Sequence, residues 1–189
     1  MAPTKIIALG CCCQITFDLE KYGMRDESSV FEWYDSPIFS EILTIMNMIA
    51  NGKEVPLIER ASFKKNIFLA DTNIRTDHYT NETLPEIFKR RADRFIEYIK
   101  SDIPLLFIRH DRKGISLLEL EEFKRIVESI HPACNYHLLC CVEPYAYVPI
   151  HCPRVFYHSK PPNSWAHLIS ESLPGDIPSE SEVEPHYKG

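Results

Sequence analysis

The sequence predicts an α/β fold in three layers, a mostly parallel sheet with helices on both faces. The first observation is an apolar run at residues 6–9 that stops at Gly10 and passes directly into a helical period. The second is a pair of further apolar runs, at residues 105–108 and 136–142, each preceded by an amphipathic stretch of helical length. Strands separated by helices are joined by crossovers, and crossovers make parallel neighbours. The third is size. The 189 residues suffice for one ordinary core, and no shift in composition divides it. The prediction is a single α/β domain over residues 1–160 and a Pro-, Ser- and Glu-rich tail at 161–189, largely disordered.

Residues 5–9 form the first buried strand. From Cys13 onward, Ile15, Leu19 and Tyr22 fall at helical spacing, and Gly23 stands where a C′ residue belongs. Residues 28–36, with Val30, Phe31, Trp33 and Tyr34, suit a second extended segment. Pro37 opens a helix whose face is traced by Ile38, Ile42, Ile45, Met46 and Ile49, and Asn51-Gly52 ends it. Residues 55–58 and 67–70 are short strands, and the polar stretch 71–81 belongs on the surface. Thr83 and Glu86 have capping-box spacing ahead of a stripe of Phe88, Ala92, Phe95 and Ile99. After the strand at 105–108, residues 110–114 make a polar turn. Ser116 and Glu119 then cap a helix buried through Leu120, Phe123, Val127 and Ile130. His131-Pro132 stops that helix, strands follow at 136–142 and 154–157, and Trp165 and Leu168 are the last packing residues.

A net charge of -6 argues against a nucleic-acid backbone as partner, although Lys89-Arg90-Arg91 with Arg94 could bind a local anion. No apolar stretch reaches the length of a membrane span, and no secretory leader is expected ahead of the first strand. Seven cysteines, an odd number, fit a reducing compartment better than a disulfide framework, so the expected location is the cytoplasm, without nucleic-acid or membrane partners.

Three chemistries are open to a chain with three consecutive cysteines, Cys11, Cys12 and Cys13, at a strand-to-helix turn. A metal site lacks support: there is no Cys-x-x-Cys and no His-x-x-x-His, so neither metal nor other cofactor is expected. Phosphate chemistry fails because neither a dinucleotide glycine pattern nor a P-loop ending follows Gly10. The Arg that a cysteine phosphatase needs six residues after its thiol is replaced by Phe17, Asp18, Leu19 or, after Cys152, His158. Thiol catalysis needs an imidazole near a thiolate. A helix N-terminus favours the thiolate, and His78, His110 and His151 all lie in suitable segments.

The order of these residues resembles the putative papain-like cysteine peptidase family. That family opens with an apolar strand, Leu-Gly-x-x-Cys, a helix ending near Gly-Leu-Arg, and Phe-Asp-Trp. Here stand Leu9-Gly10-Cys11-Cys12-Cys13, then Gly23-Met24-Arg25, then Phe31-Glu32-Trp33. His78 matches the family's mid-chain His, the stretch Phe88 to Phe95 its aromatic-x-Arg-Arg-x-x-Arg-Phe helix, and His110 a His at a strand end, so the similarity covers residues 5–145. Val30 replaces the family's Pro, Glu32 its Asp, and Tyr79-Thr80 its Asp-Phe.

Carried over by position, the resemblance implies Cys13 as nucleophile, His78 as first candidate base and His110 as rival. The candidate substrate-binding residues are Arg25, Trp33, Arg91 and Arg94. The implied activity is a cysteine peptidase or related thiol hydrolase acting on a peptide, acyl or glycan substrate, with backbone N–H groups around Cys12 to Gln14 as oxyanion donors. Its alternatives are a non-catalytic binding module and an acyl- or glycan-modifying transferase. The alternating β and α pattern favours a flavodoxin-like layout, with the papain-like fold as alternative.

Overall fold

The computed structural model describes residues 4–11, 13–60, 66–80, 82–159 and 163–172. Cys12 and the stretch 173–189 therefore lie outside the described residues. In chain order the elements are β1 (Lys5–Ala8), α1 (Cys13–Lys21), α2 (Phe39–Ala50), β2 (Leu57–Glu59), β3 (Ile67–Leu69), β4 (Arg75–Thr76), α3 (Leu84–Lys100), β5 (Leu105–Asp111), α4 (Leu117–Ile130), β6 (Tyr136–Val142), β7 (Val155–His158) and α5 (Trp165–Ser172). A single 3-10 turn, Pro144–Ala146, follows β6.

The principal sheet runs β1-β5-β6-β7, and every pairing in it is parallel. Alternation along each strand sorts the side chains onto two faces. Ile7, Leu9, Leu105, Phe107, Leu138 and Cys140 meet α2, α3 and α4 in one core, while Ala8, Leu106, Ile108, Leu139 and Cys141 meet α1 and α5 in a second. The three layers expected from the sequence are present. A small antiparallel sheet, β2-β3-β4, lies beside this body. Among the described residues no helix is long and apolar enough to cross a membrane.

Local chemistry explains most boundaries. Gly23 (φ +64°) closes α1 with a Schellman pair, Met24 N–H to Leu19 O at 2.9 Å and Gly23 N–H to Glu20 O at 3.1 Å. Ser116 and Glu119 form a complete capping box on α4. Asp18, a buried acid of α1, accepts from the N–H groups of Trp165 and Ala166 and so caps α5, which falls inside the stretch expected as tail. Trp165, Leu168 and Ile169 bury enough apolar surface to hold that helix on the sheet.

Four expectations need correction. The segment 28–36 is a run of turns, with Trp33 at φ +70°, and only Asp35 keeps ladder contacts. Thr83 makes no side-chain cap on α3, because its backbone is already helical (φ -97°, ψ -28°) and its hydroxyl turns to Thr80. His110 and Asp111 belong to β5 and not to a turn, since that strand pairs with β6 through Asp111. The stretch 71–81 is not simply exposed: Thr72, Ile74 and Thr76 are buried where β4 joins β3.

Candidate functional site

The site is assembled from three stretches far apart in the chain. Gly10 (φ +76°) and Cys11 (φ +96°) turn the backbone off β1 so sharply that α1 begins at Cys13. A left-handed φ costs a residue with a Cβ roughly 1–2 kcal/mol, so the turn at Cys11 must be held from outside. The Cys11 N–H donates to Ser36 Oγ (2.6 Å). Arg109, 0% exposed, donates to the carbonyls of Leu9 (3.0 Å) and Ser36 (2.7 Å) and to Ser36 Oγ (2.9 Å). Asp111 neutralises that guanidinium at 2.7 Å.

Asp35 ties this turn to the small sheet. It bridges Cys11 on one side and Arg75 on the other. Its N–H and C=O exchange hydrogen bonds with Arg75 (2.8 and 3.0 Å), and its carboxylate accepts from the Arg75 guanidinium (3.0 Å). This double attachment carries β4, and His78 two residues beyond it, to the front of Cys13.

There Cys13 Sγ lies 3.4 Å from His78 Nε2. The backbone N–H of His78 donates to Thr76 Oγ1 (3.2 Å) and fixes the main chain there, while the Trp33 ring meets the imidazole edge-on at 5.1 Å. Trp33 is braced in turn by Phe17 at 5.2 Å. Cys13, Trp33, Asp35, Arg75, Asp77 and His78 are among the residues lining a cavity of about 210 Å³. The His78 side chain is 42% exposed, so the pair is open to solvent. Asp77 lies 3.7 Å from the same Nε2. Thiol and carboxylate therefore share one nitrogen, and Asp77 is not an orienting group on the far side of the ring.

A second pair lies behind the first. Cys11 Sγ is 3.5 Å from His110 Nδ1, and His110 Nε2 is 3.2 Å from Glu143 Oε1. That carboxylate stands at ion-pair distance, yet Nε2 makes no hydrogen bond among the described residues. Cys11 is 0% exposed, and the Trp165 ring lies 6.3 Å from that of His110. His110 thus meets the other cysteine of the turn. His151 is exposed in the loop ahead of β7.

Of the expected substrate-binding residues, Trp33 lines the cavity. Arg25 and Arg94 are engaged in ion pairs, with Glu32 (2.8 Å) and Glu27 (2.9 Å) respectively, and Arg94 also donates to Ser28 O (2.8 Å). Arg91 is buried on α3 beneath Tyr79. The remaining described thiols are blunted by burial, which pushes Cys140 well above its ordinary pKa, Cys141 up to about 12, and Cys134 and Cys152 upward. Among the described residues no group of three or more His, Cys, Asp or Glu could hold a metal ion. A larger groove between the end of α2 and α3, lined by Ile49, Val55, Phe88 and Ile96, contains none of the candidate thiols or imidazoles.

Asp35, Ser36, Arg75 and Arg109 were not singled out from the sequence as site residues. For Arg109 a signal existed: Arg and Asp at i and i+2 after an apolar strand share one face and can pair there. For Asp35 none did, since its partners lie 24 residues before it and 40 after it.

A family model described as putative papain-like cysteine peptidase matches residues 4–136, a stretch that includes Cys13, Trp33, His78 and His110. No curated protein and no solved structure matches the chain.

Proposed function

This chain belongs to the putative papain-like cysteine peptidase family, and on that premise we propose that it is a thiol-dependent hydrolase in which Cys13 attacks an acyl or amide carbonyl. The observation that carries this reading is the 3.4 Å approach of Cys13 Sγ to His78 Nε2 at the edge of an open cavity. His78 takes the thiol proton, and the thiolate is favoured by the imidazolium and by the positive end of α1. Attack gives a tetrahedral intermediate. Its oxyanion is met by first-turn N–H groups of α1, Gln14 among them, which have no partner within the helix. Collapse expels the leaving group, protonated by His78, and leaves a thioester on Cys13. Water, deprotonated by the same imidazole, then releases the acid and restores the thiol.

The cavity of about 210 Å³ is below the usual range for drug-sized ligands, which suits a single side chain or a short acyl group. Its polar walls, Asp35, Arg75 and Asp77, favour a substrate that can accept and donate hydrogen bonds. Cys134, Cys140, Cys141 and Cys152 are free thiols, and we place the reaction in the cytoplasm, where such thiols persist.

The test is site-resolved alkylation by iodoacetamide at mildly acidic pH, followed by hydrolysis assays on a panel of peptide amides, esters and thioesters. Cys13 is expected to react first, and Cys13→Ala to lower turnover by about 10³-fold or more while thermal stability is unchanged. A Cys13 that reacts no faster than a cysteine of the denatured chain would refute the activated thiol.

A further inference from the structure

Helix α3 carries a charge inside its apolar stripe. Leu84, Phe88, Phe95 and Ile99 face the core, and Arg91 stands among them with 7% of its surface exposed. Nε and Nη1 of its guanidinium are sealed from solvent and have no hydrogen-bond partner among the described residues. Neighbouring cations are neutralised differently: Arg94 pairs with Glu27 at 2.9 Å and Lys89 with Asp93 at 2.7 Å. An arginine cannot relieve its burial by losing a proton, so a sealed guanidinium without an anion is strongly unfavourable. The Tyr79 ring, 5.3 Å from the Arg91 guanidinium carbon, offers a π face but no acceptor along it.

The location is informative. Tyr79 follows His78, and the buried Tyr34 follows Trp33. Arg91 thus stands against Tyr79, the residue next to His78 of the thiol cavity.

We propose that Arg91 is the centre of an anion-binding site whose ligand is a monocarboxylate. One guanidinium supplies one positive charge, which a carboxylate matches, whereas a phosphate dianion would bury a surplus negative charge. The Tyr79 ring provides a wall for the apolar remainder of such a molecule. The site excludes Cys13 and is independent of thiol chemistry.

Thermal unfolding of the full chain, and of its Cys13→Ser variant, tests this with acetate, phosphate and chloride as sodium salts at matched ionic strength. Acetate raises the midpoint saturably in both proteins, by about 3–6 °C at roughly ten times its dissociation constant, and phosphate does no more than chloride. Arg90→Ala, on the exposed face of α3, keeps the acetate response. Arg91→Met, which retains length and apolar packing, loses it, while its midpoint without acetate stays at or above that of the parent. An acetate response equal to that of chloride, or one that survives Arg91→Met, overturns the site. A lowered midpoint of Arg91→Met without acetate also overturns it, because the fold itself would then satisfy the guanidinium. A phosphate response exceeding that of acetate overturns the carboxylate assignment.

Discussion

Cys13–His78 and Cys11–His110 are two thiol–imidazole contacts of nearly equal length, 3.4 and 3.5 Å, built from one turn. They differ in what surrounds them. Cys13 stands at the first position of α1 beside an open cavity, with an imidazole delivered by the small antiparallel sheet. Cys11 is sealed in the sheet interior, its imidazole delivered by the neighbouring parallel strand and backed by Glu143. By proximity alone the buried set is closer to a thiol, imidazole and carboxylate in line, since His110 is approached on both ring nitrogens, although Nε2 and Glu143 form no hydrogen bond. Among the described residues the outer pair is the one open to a cavity, as the proposed reaction requires. Distance alone thus does not single out the proposed catalytic pair; exposure and a cavity distinguish two contacts of similar length.

The comparison breaks most directly at the two imidazoles. His78→Ala is expected to slow alkylation of Cys13 by on the order of 10²-fold or more, the loss typical of removing a positioned base. His110→Ala should leave that rate within about twofold. Equal effects of the two substitutions, measured by site-resolved mass spectrometry, would mean that the pairs are not separate.

The next effect concerns the support that both pairs share. Arg109→Met leaves Asp111 buried without its cation and frees the carbonyls of Leu9 and Ser36, so a loss of about 3–5 kcal/mol in urea unfolding is expected. Cys11 should become alkylatable under conditions where it is protected in the parent. An Arg109→Met protein of unchanged stability would show that the turn is held by other means.

The smallest effect comes from His137, an imidazole on the same sheet face as His110 that stacks on Phe156. Burial, and after it the Arg154 charge, lowers the pKa of His137 below its ordinary value of 6.5. The folded state therefore prefers the neutral ring. Its contribution to stability is present above the unfolded-state value and is lost as pH falls through the lower folded-state value. His137→Phe should flatten the slope of unfolding free energy against pH in the weakly acidic range; an unchanged slope would assign that dependence to other groups.

How much of this was legible in the sequence varied with the range of the interaction involved. Gly23 and the Ser116/Glu119 box mark helix ends through contacts within a few residues, and both formed as expected. Thr83 and Glu86 have the same spacing as the working box, yet Thr83 adopts helical angles and its hydroxyl is taken by Thr80, so the cap is absent. The apolar content of 28–36 pointed to a strand. The segment instead buries Val30, Phe31 and Tyr34 through turns, because its task is to deliver Asp35 and Ser36 between two other elements.

What the sequence determined by itself was the layered α/β class, the strand-to-helix turn and, through the family pattern, the prominence of Cys13 and His78. These follow from short-range periodicity and from residue types at fixed spacing, which a chain carries whether or not it is folded. What only the tertiary structure decided was pairing. The cysteine and histidine of each contact are 65 and 99 residues apart, and three thiols with three candidate imidazoles leave nine combinations. The parity of β5 sends His110 to the α1 and α5 face, where Cys11 turns inward, while the Asp35 bridge brings β4 and His78 to Cys13. Both are consequences of strand register and of one doubly bridged residue, and register exists only once the strands have met.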